Sequence, residues 1–264
     1  MTVYADVFRY RELFANLFRR DFQAKYKGSV LGIFWSLLNP LILLAVYLVF
    51  FGLLIKTGTT RHYPIYVLAG LACWIFFSVS LQSAARSMID SAELIKKVRF
   101  PRQLVAFSMV ATQAVTFAVM IAILIVLSLV FIPEARTTVW LAIPLAAVFV
   151  GFVAGASLLV ATANVLFRDI EHILNAALLP WFFLTPILWN PANLSAAQRH
   201  PALLDLLRWG NPVTPPIYAI RDSIWKGSAP RPADVVYTVV AAIVALALAS
   251  VVFRSVDDRI AVEL

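Results

Sequence analysis

The few residues that could carry out catalysis or bind a metal are scattered along this chain. Its three histidines, His62, His172 and His200, are far apart, and the chain has no HExxH pattern, which would place two zinc ligands on one helix face. Asp90 and Glu93 lie close in sequence, but calcium and magnesium sites need more oxygen ligands than two carboxylates provide. Two lysines follow within a helical turn, so a solvated, ion-paired helix face is the simpler interpretation. We therefore predict neither a catalytic centre nor a metal site.

The sequence also lacks a recognisable nucleotide site. A phosphate-binding loop requires the pattern GxxxxGK[ST], whose glycine-rich backbone and lysine hold the phosphates. The nearest segment, Gly52 followed by Lys56 and Thr57, has the wrong spacing. If the protein performs work, we expect a partner to bind ATP and supply the energy, and we expect no cofactor in this chain. The single cysteine, Cys73, excludes an internal disulfide.

The composition explains why such groups are sparse. Of 264 residues, 62% are apolar and 14% are charged, and 22 Lys and Arg against 14 Asp and Glu give a net charge of +8. Soluble domains are about half apolar and about a quarter charged. This composition excludes most soluble enzymes, disordered chains and nucleic-acid-binding domains. The basic residues therefore indicate a membrane surface, rather than DNA or RNA, as the partner.

Long segments without Asp, Glu, Lys or Arg divide the chain into candidate membrane spans. A helix needs about 20 mostly apolar residues to cross the hydrocarbon core, and a charge at its centre costs about 2.5–3.5 kcal/mol. We predict an all-α membrane protein, a single domain of six transmembrane helices, whose fifth span is kinked by Pro180 and Pro186. The six charge-free runs are 28–55, 62–85, 103–133, 137–167, 172–198 and 235–253.

The distribution of basic residues predicts the orientation of these spans. Lys and Arg are concentrated in residues 1–27 and in the loop 86–102, whereas the loops after the first and third spans contain few. Because positively charged loops stay in the cytoplasm, we predict that the N-terminus and loop 86–102 are cytoplasmic. Residues 28–189 would hold spans one to five, and residues 233–264 would form the sixth span and a tail that returns the C-terminus to the cytoplasmic side. Basic residues within 190–232, on the opposite side, weaken this bias.

Two segments outside the spans should form helices of their own. Within residues 1–27, apolar side chains recur at steps of three and four, which predicts an amphipathic helix in the membrane interface. This helix is either a simple anchor or also a contact for a cytoplasmic partner. Residues 190–232 contain the apolar stretches Leu203–Trp209 and Ile217–Trp225, which are too short to span. We predict re-entrant or interfacial helices there, with an ordinary outer loop as the alternative.

Four segments of the sequence resemble one known family. The segment Arg20–Trp35 runs from a basic helix through Gly-Ser into an apolar span that opens with Leu-Gly and two aromatic residues. Lys96–Arg102 is a basic Phe-Pro-Arg turn, Asn164–Ile170 contains an Arg-Asp turn, and Asn211–Asp222 precedes the last span. In this order and spacing, the segments resemble ABC-2 type permeases that export polysaccharides such as O-antigen, capsule, teichoic acid or galactan.

The resemblance implies a division of labour between subunits. Two permease chains would form a homodimer in a bacterial inner membrane, and two copies of a separate ATPase would bind from the cytoplasm. Loops 87–100 and 167–172 would act as coupling helices in clefts of the ATPases. For the Arg-Asp turn, a helix-end cap with a local ion pair is the alternative. The coupling residues implied are Glu93, Lys96, Lys97, Arg99, Arg168 and Asp169.

The resemblance also implies a channel lined by aromatic side chains of the first, second and fifth spans. Aromatic rings offer flat apolar faces to sugar C–H groups, and Tyr and Trp add a polar edge. The chain contains 19 Phe, 7 Trp and 8 Tyr, enough for such a surface. An aromatic belt at the membrane interface is the alternative, although it explains mid-span Trp74 poorly. The candidate channel residues are Phe34, Trp35, Tyr66, Trp74, Trp181 and Phe182.

The function expected from these observations is transport without catalysis. The chain would be the permease subunit of an ATP-driven exporter of a lipid-linked polysaccharide. Alternatives are the drug or small-lipid branch of the same superfamily, a passive channel or scaffold, and an enzyme acting on polyprenyl lipids, which would need clustered carboxylates or histidines. A ridge of small residues, Ala147, Gly151 and Gly155, would allow close helix packing within the chain or at a dimer seam.

Overall fold

The computed structural model describes residues 4–29, 32, 34–47, 49, 62–97, 100–191 and 201–263. Within these ranges the regular structure is helical, as the composition predicted. Short 3₁₀ turns connect α6 to α7, and a π-helical turn, Asp222–Lys226, follows α10. The helices are α1 (Ala5–Arg9), α2 (Arg11–Tyr26), α3 (Phe34–Tyr47), α4 (Tyr63–Asp90), α5 (Ala92–Lys97), α6 (Gln103–Phe131), α7 (Ala142–Leu166), α8 (Ile170–Leu184), α9 (Pro201–Trp209), α10 (Thr214–Arg221) and α11 (Pro232–Glu263).

Four of the described helical segments are long and apolar enough to cross a membrane. They are Tyr63–Asp90, Gln103–Phe131, Val139–Leu166 and Pro232–Asp257, which correspond to α4, α6, α7 with the turn before it, and most of α11. They coincide with the second, third, fourth and sixth predicted spans. A helical protein with several helices long and apolar enough to span a membrane is thereby confirmed.

The first and fifth predicted spans are shorter in the structure. α3 covers 14 residues of the first run, and most of the rest of that run lies outside the described residues. α8 has 15 residues, continues through Pro180 and ends at Leu184. Thr185 has an extended backbone because a residue before proline avoids the helical region, so Pro186 follows the helix end instead of kinking the helix. The count of six spans stays a prediction.

α4 lies at the centre of the bundle. In its most apolar stretch 78% of the residues are buried, against 33%, 39% and 22% for the other three long helices. α3, α6, α7, α8 and α10 all pack against it. Phe76 of α4 stacks on Phe117 with ring centroids 4.6 Å apart, and Phe149 of α7 meets both rings edge-on. α4 therefore contributes side chains to each of the grooves and cavities that could bind a ligand.

The N-terminal segment forms two helices, α1 and α2, joined at Tyr10, where one continuous helix was predicted. Tyr10 departs from helical backbone angles, with φ −107° and ψ 36°. Leu17, on the predicted apolar face, is buried against Leu104 and Val105 of α6. Part of this face therefore packs against protein, and its position in the membrane interface stays a prediction.

The segment between the fifth and sixth predicted spans contains helices at the two predicted apolar stretches. α9 has no buried residue, whereas nearly every residue of α10 is buried. α10 packs against α4, α7 and α11. The π-helical turn after it ends at Gly227, whose φ of +67° suits glycine, and a Cβ there would lie 2.8 Å from the Glu134 carbonyl carbon. α10 is thus part of the bundle, and its depth in the membrane stays a prediction.

The ridge of small residues on α7 packs against α11 of the same chain. A Cβ on Gly155 would lie 2.6 Å from the carbonyl carbon of Ala245 and 2.7 Å from the backbone nitrogen of Leu246. A Cβ on Gly151 would meet only the Leu246 side chain, at 3.8 Å, which is an ordinary contact. Glycine at position 155 therefore allows the two helix backbones to approach closely.

Gly155→Ala is expected to force α7 and α11 apart, since overpacking of this kind costs about 1–3 kcal/mol. We expect a lower Tm and a lower yield of monodisperse protein in detergent. Gly151→Ala is the matched control and should keep both properties. Thermal unfolding of the two purified variants checks the prediction, and equal melting temperatures would show that the close approach at Gly155 does not limit packing.

Candidate functional site

α5 has one exposed face of charged side chains, and its opposite face packs against the helix bundle. Its Ile95 is buried in a cluster with side chains of α4 and α6, whereas Glu93, Lys96 and Lys97 are exposed. Lys97 Nζ lies 3.3 Å from Glu93 Oε2. An exposed pair of this type contributes little to stability. Breaking it in order to pair either residue with a partner protein would therefore cost little free energy. Arg99, the other coupling candidate in this loop, lies outside the described residues.

The second predicted coupling element is the turn between α7 and α8. Phe167, Arg168 and Asp169 are all exposed there. Asp169 stands at the N-cap position of α8 but makes no side-chain cap hydrogen bond. Neither Arg168 nor Asp169 forms an ion pair with another described residue. A cap with a local ion pair, the alternative interpretation, is therefore not formed by the described part of the chain.

Asn164, fully buried at the end of α7, holds this turn in place. Its Nδ2 donates a hydrogen bond to the carbonyl of Ala85 on α4 at 2.8 Å, and its Oδ1 accepts one from the backbone nitrogen of Glu171 at 2.9 Å. A second link joins Arg86 Nη1 to Glu171 Oε1 at 3.4 Å. Asn164 thus supplies the cap of α8 that Asp169 does not. The sequence signal for this role is an amide at the end of an apolar run, directly before a short charged turn.

Polar contacts tie the N-terminal and C-terminal helices to the start of α6. Asp21 of α2 is buried, accepts a hydrogen bond from Ser108 Oγ of α6 at 2.6 Å, and pairs with Arg20 at 2.8 Å. Arg102, directly before α6, pairs with Asp257 of α11 at 2.8 Å. Hydrogen bonds to charged groups contribute about 1.5–3 kcal/mol each when they are shielded from water. These contacts join α2 and α11 to the start of α6.

A groove lined by aromatic and amide side chains lies between α3, α4 and α8. It encloses about 310 Å³. The rings of Trp74 and Phe182 have centroids 5.6 Å apart, and Tyr47 stacks on Phe182 at 6.2 Å. Gln82 Nε2 donates to Asn175 Oδ1 at 2.9 Å on the same surface. Trp74 and Phe182 are buried, whereas Gln82 and Asn175 are exposed, so the groove presents mainly the amides and the half-buried Tyr47 ring.

The structure brings three of the six predicted channel residues together, since the Trp74 ring lies 5.6 Å from Phe182 and 6.2 Å from Trp181, but of these only Trp74 and Phe182 line this groove. Trp181 faces a separate apolar groove of about 580 Å³ between α4, α7, α8 and α11, and its Nε1 donates to Asn211 Oδ1 at 2.9 Å. Consecutive residues of a helix point about 100° apart, so Trp181 and Phe182 occupy different faces of α8.

The other three predicted channel residues lie elsewhere. Phe34 and Trp35 are on α3 with 66% and 54% of their surfaces exposed, and they do not line the groove. Tyr66 is buried near the N-terminal end of α4, where its hydroxyl donates a hydrogen bond to the carbonyl of Trp189 at 3.0 Å. The role of all six residues in a channel stays a prediction.

The described residues that line the groove include no charged side chain. Its polar side chains are the hydroxyls of Tyr47 and Ser78 and the amides of Gln82 and Asn175. Among the residues that the structure describes, no group of three His, Cys, Asp or Glu side chains is placed to hold a metal ion. A surface without fixed charges suits a long neutral ligand that has to slide past it.

Comparisons with known proteins agree with this architecture. The sequence profile of the family described as "ABC-2 type transporter" matches residues 12–225. A Myxococcus xanthus protein named "O-antigen export system permease protein RfbA" is 28% identical over 256 residues, which cover 97% of this chain and 96% of that protein. Two Klebsiella pneumoniae proteins of the same name are 30% and 29% identical over 219 residues, covering 82% of this chain and 82% and 81% of theirs. This chain therefore belongs to the ABC-2 type transporter family.

Proposed function

We propose that this chain is the permease subunit of an ATP-driven exporter that moves a lipid-linked polysaccharide across the bacterial inner membrane. The polysaccharide would be of the O-antigen, galactan or teichoic-acid type. The observation that carries the proposal is the likeness, over 97% of this chain, to a protein named as an O-antigen export permease. The apolar helices and the neutral aromatic groove support it.

In this proposal a separate ATPase supplies the energy. The chain contains no GxxxxGK[ST] pattern, so the partner would bind the ATP. The exposed charges of α5 and of the Arg168-Asp169 turn would enter clefts of two ATPase copies, one for each permease of a homodimer. The chain termini would lie on the same, cytoplasmic side. Side chains that enter a cleft of another protein must be accessible at the surface, and these side chains are exposed.

The structure offers a mechanical route from the coupling elements to the groove. Asn164 and Arg86 connect the turn at the start of α8 to the last turns of α4. Trp74 lies roughly 18 Å further along α4, at a rise of about 1.5 Å per residue. α4 and α8 are two walls of the groove, so a push that tilts them against each other changes its width. The ATPase would thereby drive the glycan without touching it.

Copurification tests the proposal. The full-length permease, carrying an affinity tag, is co-expressed with the ABC ATPase encoded beside its gene and extracted in mild detergent. We expect the ATPase to copurify and its ATP hydrolysis to increase when the permease is present. An ATPase from an unrelated ABC importer is the control and should not bind. If the neighbouring ATPase neither binds nor responds to the permease, the proposal is wrong.

A further inference from the structure

Arg221, at the end of α10, is buried to an unusual degree for a charged residue, with 1% of its surface exposed. Its guanidinium carbon lies 3.9 Å from the ring centre of Tyr66 and 4.7 Å from that of Tyr218. Cation–π contacts of this type attract the charge but provide no hydrogen-bond acceptors in the ring plane. A buried cation needs such acceptors, because it has lost its hydration.

The Arg221 guanidinium interacts with the Tyr218 hydroxyl, and its remaining hydrogen-bond donors are only partly used. Nη1 donates to the carbonyl of Pro186 at 2.8 Å. Nε and Nη2 are buried and have no hydrogen-bond partner within the part of the chain that the structure describes. These two nitrogens share one edge of the planar guanidinium, the edge that can hold two oxygens of an oxyanion at once. The unpaired edge therefore favours a ligand with two adjacent acceptor oxygens.

A cavity of about 390 Å³ lies beside Arg221 and has more cations than carboxylates in its wall. Burial raises the pKa of Asp222 above its usual value, although the adjacent Arg221 and Lys226 oppose this effect. The charged residues that line the cavity are Arg208, Arg221, Lys226, Arg231, Asp205 and Asp222.

A second arginine is fixed in the same wall. Arg208 Nη2 lies 2.8 and 2.6 Å from the two carboxylate oxygens of buried Asp234. Its guanidinium carbon lies 4.9 Å from the ring centre of Trp209 and 5.1 Å from that of Tyr218. Tyr218 thus contacts both Arg208 and Arg221. Arg208 and Arg221 are thus held in position before any ligand arrives, which lowers the entropic cost of binding an anion to them.

We propose that this cavity binds a phosphate-type oxyanion, with Arg221 as the two-pronged donor and Lys226 and Arg231 as flanking cations. A phosphate ester provides the adjacent oxygens and the multiple negative charge that this set of donors matches. The phosphate of a lipid headgroup and the phosphate that joins a glycan to a lipid carrier share this chemistry. The inference goes beyond the proposed function and does not depend on it, since the site would bind its ligand whatever the chain exports.

Binding of inorganic diphosphate to the full-length chain in nanodiscs of zwitterionic lipid tests the site. The unaltered protein should bind it saturably by calorimetry and should gain a higher Tm. Arg221→Gln should weaken binding at least about tenfold, because it removes a bidentate ionic contact. Arg221 is buried and its replacement can disturb the fold, so a double variant of the more exposed cations, Lys226→Met with Arg231→Met, is the second arm. It should bind several-fold more weakly with an unchanged Tm in the absence of diphosphate.

Arg136→Met, which removes a basic residue outside the cavity, is the matched control and should bind diphosphate normally. Nanodiscs that contain phosphatidic acid distinguish the two sources of phosphate. Competition by phosphatidic acid identifies a lipid headgroup as the ligand, and diphosphate binding without such competition identifies a glycan-borne or free phosphate. The proposal is overturned if the unaltered protein shows no saturable diphosphate binding, or if the cavity variants bind as tightly as the control.

Discussion

Asn164→Ala is expected to reduce export by up to roughly thirtyfold while the chain still inserts into the membrane. The substitution removes two buried hydrogen bonds, one to the carbonyl of Ala85 and one from the backbone nitrogen of Glu171. At about 1 kcal/mol for each bond, the aligned arrangement of α4 and α8 loses about 2 kcal/mol. Since 1.4 kcal/mol corresponds to a factor of ten, the equilibrium constant for the aligned state falls roughly thirtyfold, which sets the upper limit of the loss in export. Surface polysaccharide measured on cells that express the variant at normal level checks this.

Arg168→Ala tests whether the turn contacts the ATPase directly. It removes an exposed side chain and keeps the Asn164 hydrogen bonds that hold the turn in place. Its side chain is exposed, so the Tm of the permease should not change, but ATP hydrolysis should become uncoupled from export. Arg259→Ala, which removes an exposed arginine on α11 outside both proposed coupling loops, is the control and should export normally. Normal export by Asn164→Ala or by Arg168→Ala would show that the turn between α7 and α8 does not transmit the ATPase movement.

Ser78→Trp is expected to stop export by filling the groove between α3, α4 and α8. Ser78 is half-buried and lines the groove, and its hydroxyl bonds only to the carbonyl of Ile75 in its own helix, at 3.4 Å. An indole at this position projects into the open space of about 310 Å³ and leaves the core side chains of α4 in place. We expect export to fall to background and ATP hydrolysis by the complex to continue.

The control for this blockage is an equally large substitution on a surface away from the groove. Val126 of α6 is 59% exposed and is not among the residues that line the groove, so Val126→Trp should keep export. Pulse labelling of surface polysaccharide compares the two variants at equal membrane content. Undiminished export by Ser78→Trp would mean that the glycan passes along another surface, such as the apolar groove that contains Trp181.

The long helices could be predicted from charge alone, because charged residues mark where a chain leaves the hydrocarbon core. The run 103–133 contains α6, and 137–167 contains α7. α4 continues to Asp90, beyond the run 62–85, since a helix can extend past the membrane without ending. The fifth span was predicted less well, because a run free of charges does not reveal that Pro186 ends the helix at Leu184.

The sequence predicted only those site residues whose exposure follows from their immediate neighbours in the chain. Exposed charges such as Glu93 and Arg168 stand in short loops, where the sequence itself places them at the surface. The aromatic residues are on helices that are apolar on all sides, so their positions along the chain do not reveal which face meets a cavity. For this reason Trp74 and Trp181 were grouped together but line different grooves.

Buried polar residues were the hardest to interpret from the sequence, because their partners are distant in the chain. Asn164 bonds to Ala85, 79 positions away, and Arg221 bonds to Pro186, 35 positions away. The sequence around Asn164 or Arg221 does not indicate which residue is its partner. An amide or a guanidinium within an apolar stretch nevertheless predicts that some partner exists, because leaving it unpaired in the membrane would be costly.

The central claim is that this chain moves a lipid-linked polysaccharide when its partner ATPase hydrolyses ATP. The most direct test reconstitutes both proteins in liposomes, adds a labelled lipid-linked glycan to the outer leaflet, and measures the fraction protected from an added glycosidase. We predict that the protected fraction rises with ATP, that it does not rise with a non-hydrolysable analogue, and that it rises much more slowly with Asn164→Ala. A protected fraction that is independent of ATP, or the same in liposomes without the permease, would contradict the account.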